Sequence, residues 1–552
     1  MPTAIERVRE LVASSPELRV AGERLREFLR GPSDEELRQQ RDASHWQPPH
    51  TRTPPWLRTT LTVVSGLLGA AIIAASAPVW RLAVPAWRLT LPGIPHPGTA
   101  TQSTTVFLIG LVLVAAGWLG LVHLASRVRD PRHAVAVVAV IIAAWAIPIS
   151  LGPPLLSNDV YSYVAQGEMA SRGLDPGQTG PVELARNDFT TGADPYWRAA
   201  PAPYGPVAVF LARSAVQLGG HDPAAAIDIY RVFVLLGVAA AGVGVGLIAR
   251  RHGLSPAVAV AIGIGNPVVI IHVIGGAHND AIMFGLVALG LALAQRSLRR
   301  TGVALLIAAT AVKLPAVVAL VYLGWCWRDG EVPWRERLRT VAALLGVTVV
   351  AIAVAMVAIG QGPSWLAALR STGKVNDTYS PTTKLGFSIA EILNGIGFSV
   401  DGQILSSGVR ALGLAATAVV ALVMLLRSPR VGYIKATGVV LVAYVLLGPV
   451  IWPWYLPAGF ALLAACGLGR YRPSYLVVCI AVSWFVWPTS VVSMEGLGGG
   501  YQHLRGLGVV VLVAALAWGA QRFTGRWERR FHGMTDAERD VAHAERREVG
   551  VG

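Results

Sequence analysis

Charged residues and cysteines are scarce in this sequence of 552 residues. Only 14% of the residues are charged whereas 53% are hydrophobic, and the mean hydropathy is +0.53. A chain of this size with so little charge is too apolar for a water-soluble enzyme, which indicates an integral membrane protein. The three cysteines, Cys326, Cys466 and Cys479, show no paired spacing in any loop. We therefore expect neither a disulfide framework nor a cysteine metal site.

Several motifs are also missing. The sequence has no P-loop, no glycine-rich dinucleotide motif after a strand, and no large soluble domain that could hold a nucleotide sugar. The spacing of His272, His278 and Asp280 matches no metal signature, so we predict no metal and no other cofactor. Residues 1–55 lack an apolar core followed by a small-residue cleavage site. We therefore expect no cleavable signal peptide and a tail that stays in the cytoplasm.

Negative charge is in deficit. The 47 Lys and Arg residues exceed the 32 Asp and Glu residues, which gives a formal net charge of +15. In a membrane protein such an excess usually marks cytoplasmic loops rather than a nucleic-acid surface. We therefore predict membrane lipids but no nucleic acid among the partners, while the oligomeric state stays open.

Long apolar stretches are abundant. Stretches of roughly 17 to 25 residues can cross a hydrocarbon core of about 30 Å. Twelve are found, at 57–79, 105–125, 134–152, 225–249, 255–274, 279–295, 340–360, 405–426, 434–451, 455–469, 473–491 and 506–520. Two further segments are ambiguous, a short one at 204–218 and one at 301–326 that Lys313 and Pro315 interrupt. The sequence thus predicts an all-α polytopic bundle with about 12 to 14 membrane segments.

Clusters of Lys and Arg in the loops between the apolar stretches set the orientation of this bundle, because short cytoplasmic loops collect these residues. All of them fall on one side if 204–218 lies at the outer interface and 301–326 folds as a broken hairpin. We therefore predict a membrane domain at 56–521 between charged cytoplasmic tails at 1–55 and 522–552, the first amphipathic. The long polar loops 153–224 and 361–403 then lie outside the plasma membrane. This arrangement predicts a reaction chamber on the extracytoplasmic face.

Asp159 is the main catalytic candidate, since it stands at the end of the third span, where the first outer loop begins. A partly dehydrated carboxylate at this position suits a general base that meets a hydroxyl group arriving from outside. The alternative is an ordinary helix cap, because Asn158 and Asp159 are both common capping residues.

Five motifs carry a family resemblance. They are DVYSY at 159–163, PYGP at 203–206, GGAHNDA at 275–281, AVKLPA at 311–316 and WPWYLP at 452–457. With these motifs the chain resembles the polyprenyl-phosphate-sugar-dependent glycosyltransferases of the C superfamily from about residue 57 to 520. It is most similar to the actinobacterial α-(1→6)-mannopyranosyltransferases that extend the mannan backbone of lipomannan and lipoarabinomannan. In that superfamily an acidic residue in the first large outer loop is the catalytic base, and Asp159 is the matching residue.

The resemblance implies a lipid-linked donor, whose phosphate needs cations or oriented hydrogen-bond donors near the membrane. The predicted phosphate ligands are Arg231, His278, Lys313, Lys374 and Lys384. An ionisable residue inside an apolar segment is a functional candidate by default, although Lys313 can also snorkel or bind a backbone carbonyl. Arg231 has an equally simple structural role, an ion pair with Asp228 three residues earlier.

The predicted substrate-binding residues are mostly aromatic. They are Tyr161, Tyr163, Tyr204, Asn279, Asp280, Tyr379, Trp452, Trp454 and Tyr455. An interfacial aromatic belt explains the three residues at 452–455 as well as stacking on a sugar does. The polar segment 374–388 is either a mobile lid over the donor or a solvated connector.

The leading hypothesis is an enzyme that transfers mannose from polyprenyl-phosphate-mannose to a lipid-linked α-(1→6)-mannan. A β-linked donor and an α-linked product would require inversion in one displacement, with Asp159 as the base. Transfer of arabinofuranose from its polyprenyl phosphate is the alternative within the enzyme class. A secondary transporter or flippase is the alternative outside it, but the chain shows no internal repeat and its polar residues gather on one face.

Overall fold

The computed structural model describes residues 55–76, 100–128, 131–185, 187–193, 195–295, 298–328, 330–372, 379–485 and 503–523. The predicted tail 1–55, except its last residue, lies outside these ranges, and so do most of the tail at 522–552 and Lys374. The described residues form helices and connecting turns, without a β-strand.

The helices of the first half are numbered in chain order. They are α1 (Pro55–Ser76), α2 (Ala100–Ala125), α3 (Pro131–Leu151), α4 (Asp159–Ser171), α5 (Asp188–Gly192), α6 (Pro195–Ala199), α7 (Pro206–Leu218), α8 (Pro223–Arg251), α9 (Pro256–Gly263) and α10 (Asp280–Ala294). A π-helix at Val268–Ile274 follows α9 and is bent from it by 54°.

The second half continues the numbering. Its helices are α11 (Arg299–Val312), α12 (Val317–Trp325), α13 (Trp334–Ile359), α14 (Trp365–Thr372), α15 (Pro381–Gly395), α16 (Gly402–Val431), α17 (Tyr433–Leu447), α18 (Pro457–Cys466), α19 (Arg472–Val482) and α20 (His503–Phe523).

Seven of the described helices are long and apolar enough to cross a membrane, and the bent pair of α9 and the π-helix forms an eighth candidate. Shorter apolar helices, such as α10, α17 and α18, lie between them. The prediction of a helical membrane protein is therefore confirmed. A count of 12 to 14 crossings and the C-superfamily fold type stay predictions, because short helices need not cross the whole bilayer.

The segment at 301–326 is a broken hairpin. Lys313 has an extended backbone (φ −144°, ψ 129°), which ends α11, and a 3₁₀ turn at Leu314–Ala316 leads into α12. The two ends of the hairpin meet, because the Arg299 guanidinium donates to the Trp327 carbonyl oxygen over 3.0 Å and also covers the Trp327 ring. The chain thus reverses at Lys313, as the distribution of basic clusters requires.

Other contacts gather basic residues at that same end of the bundle. Arg251, the last residue of α8, donates to the carbonyl oxygen of Gln295 just after α10. Arg337, near the start of α13, donates to the carbonyl oxygen of Trp325 over 2.5 Å. Because α8 and α10 both run toward this end, the start of α10 at Asp280 lies toward the opposite end. One end of the described bundle therefore holds Arg251, Arg299 and Arg337, and the other receives the polar loops.

The predicted outer loop 153–224 is a packed structure rather than a solvated loop. Residues 160–170 of α4 are all buried, and α4 packs against α7 so closely that a Cβ on Gly167 would lie 2.4 Å from the Ala212 carbonyl oxygen. The loop also contacts the second one, because Asp175 accepts a 2.7 Å hydrogen bond from the Ser364 hydroxyl. The two predicted outer loops thus form one layer over the bundle.

The second half of the predicted lid segment is fixed to the bundle. Ser380 caps α15 and donates to the Gly448 carbonyl oxygen over 2.7 Å, and Thr383 donates to the Pro449 carbonyl oxygen over 2.6 Å. The Arg410 guanidinium in turn donates to the Thr383 hydroxyl over 2.9 Å. From residue 380 onward the segment is therefore neither a lid nor a solvated connector, because its buried hydroxyl groups bind the backbone of the neighbouring loop. Residues 373–378 lie outside the described ranges.

Candidate active site

Asp159 is the first residue of α4, but its carboxylate does not cap that helix. The backbone N–H of Asp159 donates to the Ser157 hydroxyl over 3.1 Å, and the Asn158 side chain makes no capping hydrogen bond. The carboxylate points to its neighbours instead, since the Tyr163 hydroxyl donates to Oδ2 over 3.3 Å and Nδ1 of His278 lies 3.4 Å from the same oxygen. The Asp159 side chain is 18% exposed. These contacts favour a functional carboxylate over a simple cap.

The electrostatic surroundings keep Asp159 ionised. Burial by itself raises its pKa, but the adjacent His278 and the more distant Lys313 outweigh this effect, so the pKa lies below the usual range for aspartate. Burial raises the pKa of the Tyr163 phenol well above its ordinary value, so this hydroxyl stays protonated and can donate to the carboxylate. Asp159 can therefore accept a proton at neutral pH.

Lys313 forms the second part of the site, at the turn of the hairpin. Its ammonium donates to Oδ2 of Asp280 over 2.7 Å, and it lies 5.5 Å and 4.9 Å from the ring centroids of Tyr204 and Tyr455. The ion pair is largely buried, with Lys313 and Asp280 side chains exposed by 13% and 3%. The carboxylate and the two aromatic faces compensate the cost of a charge at this depth.

Asp159 and Lys313 line the same cavity, which has a volume of about 280 Å³. Its lining residues are Leu156, Ser157, Asn158, Asp159, Trp197, Pro203, Tyr204, Asp280, Met283, Lys313, Leu314, Pro315, Leu369, Leu441, Tyr444, Val445, Gly448, Pro449, Val450, Trp452, Trp454, Tyr455 and Ala458. Lys313 is the cation among these residues, and Asp159 and Asp280 are the carboxylates. The large apolar share, together with a few polar groups, is typical of a ligand site.

Several of the helices that line the cavity are short. At about 1.5 Å per residue, the 15 residues of α10 cover roughly 22 Å and the 10 residues of α18 roughly 15 Å, less than a hydrocarbon core of about 30 Å. Asp280 begins α10, and Tyr455 lies two residues before α18. Asp280 and Tyr455 thus lie near the ends of helices that are too short to cross the hydrocarbon core.

Of the remaining predicted phosphate ligands, the three that the structure describes do not line the cavity. His278 is fully buried beside Asp159, and Arg231 donates to the Ser150 carbonyl oxygen over 2.7 Å and lies 3.7 Å from Asp228. Lys384 approaches Nδ1 of His503 at 3.3 Å, at the start of α20. Lys374 is outside the described residues. A phosphate-binding role for these residues therefore stays a prediction.

Some of the predicted substrate-binding residues line the cavity, and others do not. Tyr204, Asp280, Trp452, Trp454 and Tyr455 line the cavity. Tyr163 lies behind Asp159 and contacts Tyr204 edge to face, with ring centroids 5.3 Å apart. The remaining three are placed elsewhere: Tyr161 packs against Gly192, Tyr379 packs against Phe485, and Asn279 is buried with no hydrogen bond from its amide to any described residue.

Sequence reasoning missed two large lining residues, Trp197 and Tyr444. Tyr444 is one polar-tipped residue within the apolar run of α17, and nothing in its spacing marks it. Trp197 belongs to an aromatic pair in the first outer loop. Its position in the sequence shortly before PYGP could have identified it as a candidate site residue.

Known proteins match the chain over most of its length. A family described as "Alpha-(1->6)-mannopyranosyltransferase, N-terminal domain" matches residues 59–329, and one described as "MptB C-terminal domain" matches residues 382–523. The chain is 28% identical to alpha-(1->6)-mannopyranosyltransferase B of Corynebacterium glutamicum, over 87% of this chain and 85% of that protein. It is 30% identical to alpha-(1->6)-mannopyranosyltransferase A of Mycobacterium tuberculosis, over 74% and 78% respectively. No solved structure is significantly similar.

A helical membrane bundle with a carboxylate and a lysine in one buried, aromatic-walled cavity agrees with these similarities, which identify the chain as a membrane glycosyltransferase. It belongs to the α-(1→6)-mannopyranosyltransferase family. The resemblance of the five sequence motifs to α-(1→6)-mannopyranosyltransferases is thereby confirmed.

Proposed function

We propose that this enzyme transfers mannose from polyprenyl-phosphate-mannose to the 6-hydroxyl group of an α-(1→6)-mannan. The observation that carries the proposal is the placement of Asp159 and Lys313 in the wall of one cavity. A carboxylate that stays ionised and a cation held by aromatic faces are the two charged groups that such a displacement needs. The names of the relatives support mannose over arabinofuranose, and an enzyme over a transporter.

The reaction is a single displacement at the anomeric carbon. Asp159 removes the proton from the acceptor hydroxyl as its oxygen bonds to C1 of the mannose, and the bond from C1 to the phosphate oxygen breaks. Polyprenyl phosphate leaves with the electron pair, and Lys313 stabilises the negative charge that develops on it. A β-linked donor gives an α-linked product by this route, because attack and departure occur on opposite faces of the sugar.

Vesicles with labelled donors test the proposal. We expect the purified protein to form labelled mannan from polyprenyl-phosphate-mannose and to release polyprenyl phosphate only when acceptor is present. Polyprenyl-phosphate-arabinose is the matched control donor. Faster transfer of arabinose than of mannose would reject the proposed donor, and donor movement across the vesicle without product would indicate transport.

We further propose that the cavity opens on the extracytoplasmic face of the plasma membrane and that both termini are cytoplasmic. The arginines at the other end of the bundle support this orientation. Cysteine variants report the two sides: a maleimide that does not cross membranes should label Ile396→Cys in intact cells, and Glu331→Cys only after permeabilisation. Both residues are exposed. The opposite labelling pattern would invert the topology.

A further inference from the structure

His278 contacts Asp159 from another segment of the chain and does not line the cavity. Its side chain is fully buried, whereas that of Asp159 retains 18% exposure. Nδ1 of the imidazole lies 3.4 Å from Oδ2 of the carboxylate. A group in this position can act on the carboxylate but cannot itself meet a substrate in the cavity.

The imidazole is held in place by aromatic stacking. It lies parallel to the Trp454 ring, with centroids 3.8 Å apart and an interplanar angle of 13°. Trp454 is itself stacked on Trp452, with centroids 5.2 Å apart and an angle of 5°. His278, Trp454 and Trp452 thus stack in this order. The two indole rings line the cavity, and the imidazole contacts Asp159.

The backbone also fits closely around the imidazole. A Cβ on Gly276 would lie 2.6 Å from the His278 ring, and Ala277 adopts the left-handed region at φ +52°. The His278 N–H donates to the Val273 carbonyl oxygen, so the turn is tied to the end of the π-helix. A strained backbone and a π-helix are both features that concentrate at functional sites.

We propose that His278 is a positioning residue for Asp159 rather than a phosphate ligand, and that the stack with Trp454 fixes the ring for this purpose. Together with Tyr163, the imidazole contacts Oδ2 and so presents the other oxygen, Oδ1, to the acceptor hydroxyl. This inference rests on the proposed role of Asp159 as the base. It deepens the proposed function by coupling the base to the aromatic wall of the cavity.

The pH dependence of transfer distinguishes this role from a purely structural one. Activity requires the Asp159 carboxylate, so it is present above the pKa of Asp159 and lost as the pH falls through it. Because His278 is the main influence that lowers this pKa against the effect of burial, its removal should move the acid limb to higher pH. The titratable and charged groups that face Asp159 from all sides are Tyr163, Tyr204, Tyr455, His278, Asp280 and Lys313.

His278→Phe keeps an aromatic ring for the stack but removes both nitrogens. We expect kcat at neutral pH to fall about 10- to 100-fold, the donor KM to change less than about threefold, and the acid limb of the kcat/KM profile to move to higher pH. His278→Gln, whose amide can donate to the carboxylate, should recover part of the rate and an acid limb closer to that of the native enzyme.

His272→Phe is the matched control. His272 is also fully buried but binds the Ser483 carbonyl oxygen over 2.9 Å, and its ring centroid lies 6.4 Å from that of Trp454. We expect this variant to lower stability without moving the acid limb. An unmoved acid limb in both His278 variants, or a tenfold rise in donor KM at unchanged kcat, would overturn the inference. Absence of mannosyl transfer by the native enzyme would instead reject the proposed function.

Discussion

The short helices of this protein carry its site, whereas its longest helices carry almost none of it. In α13, with 26 residues, only Val341 and Thr348 are buried, and neither lines the cavity. In α10, with 15 residues, most side chains are buried and Asp280 lines the cavity. A helix that crosses the whole bilayer presents apolar side chains to lipid, whereas one that ends inside it brings a polar terminus to a protein-lined chamber.

The carboxylates of the first outer loop also differ in their surroundings. Glu168 is bound to Arg172 over 2.8 Å and to His221 over 2.6 Å, and Asp175 is bound to Ser364. Asp159, in contrast, reaches the cavity. Glu168 and Asp175 thus stabilise the packing of the outer loops, while Asp159 lies in the wall of the cavity.

The largest expected effect comes from Asp159→Asn. Asparagine keeps the size and the capping ability of aspartate but cannot accept the proton, so we expect mannosyl transfer to fall at least about a hundredfold while donor binding persists. Asp175→Asn is the matched control from the same loop and should stay within about threefold. Near-normal transfer by Asp159→Asn would show that the base lies elsewhere.

Lys313→Met should give the next largest effect. It removes the proposed charge-assisted interaction with the leaving phosphate and leaves Asp280 without this partner, so we expect a loss of roughly ten- to a hundredfold in kcat/KM. Lys384→Met should lose less, because Lys384 does not line the cavity. Lys435→Met, at the arginine-rich end, is the control. Equal rates for the Lys313 and Lys435 variants would contradict a role of the hairpin turn in leaving-group stabilisation.

Substitution of a glycine at a helix contact tests the difference between α10 and α13 through its effect on stability. A Cβ on Gly285 of α10 would lie 2.1 Å from the Gly237 carbonyl oxygen of α8, whereas a Cβ on Gly346 of α13 would meet nothing within 4 Å. We expect Gly285→Val to destabilise the fold by about 1 to 3 kcal/mol and to lower its melting temperature in detergent. Gly346→Val should leave that temperature nearly unchanged. Equal melting temperatures would mean that α10 packs no more closely than α13 at these positions.

The sequence alone determined the class of fold and singled out the main catalytic candidate. Apolar runs identify membrane helices because the bilayer demands some 20 apolar residues per crossing, and the basic loops required the reversal at Lys313. Asp159 could be selected by its position after a span and by the motifs around it. Lys313 stood out because a charge inside an apolar run needs a partner.

Only the tertiary structure decided which candidates share one cavity. Lys313 and Asp280 are 33 residues apart, and Asp159 and His278 are 119 apart, so no local pattern could pair them. The same holds for Lys384, which faces His503 instead of the cavity. The reason is physical: hydropathy fixes which segments enter the membrane, but contacts between distant helix ends depend on how closely small residues let those helices pack. That packing brings the ends of several short helices together around one buried space.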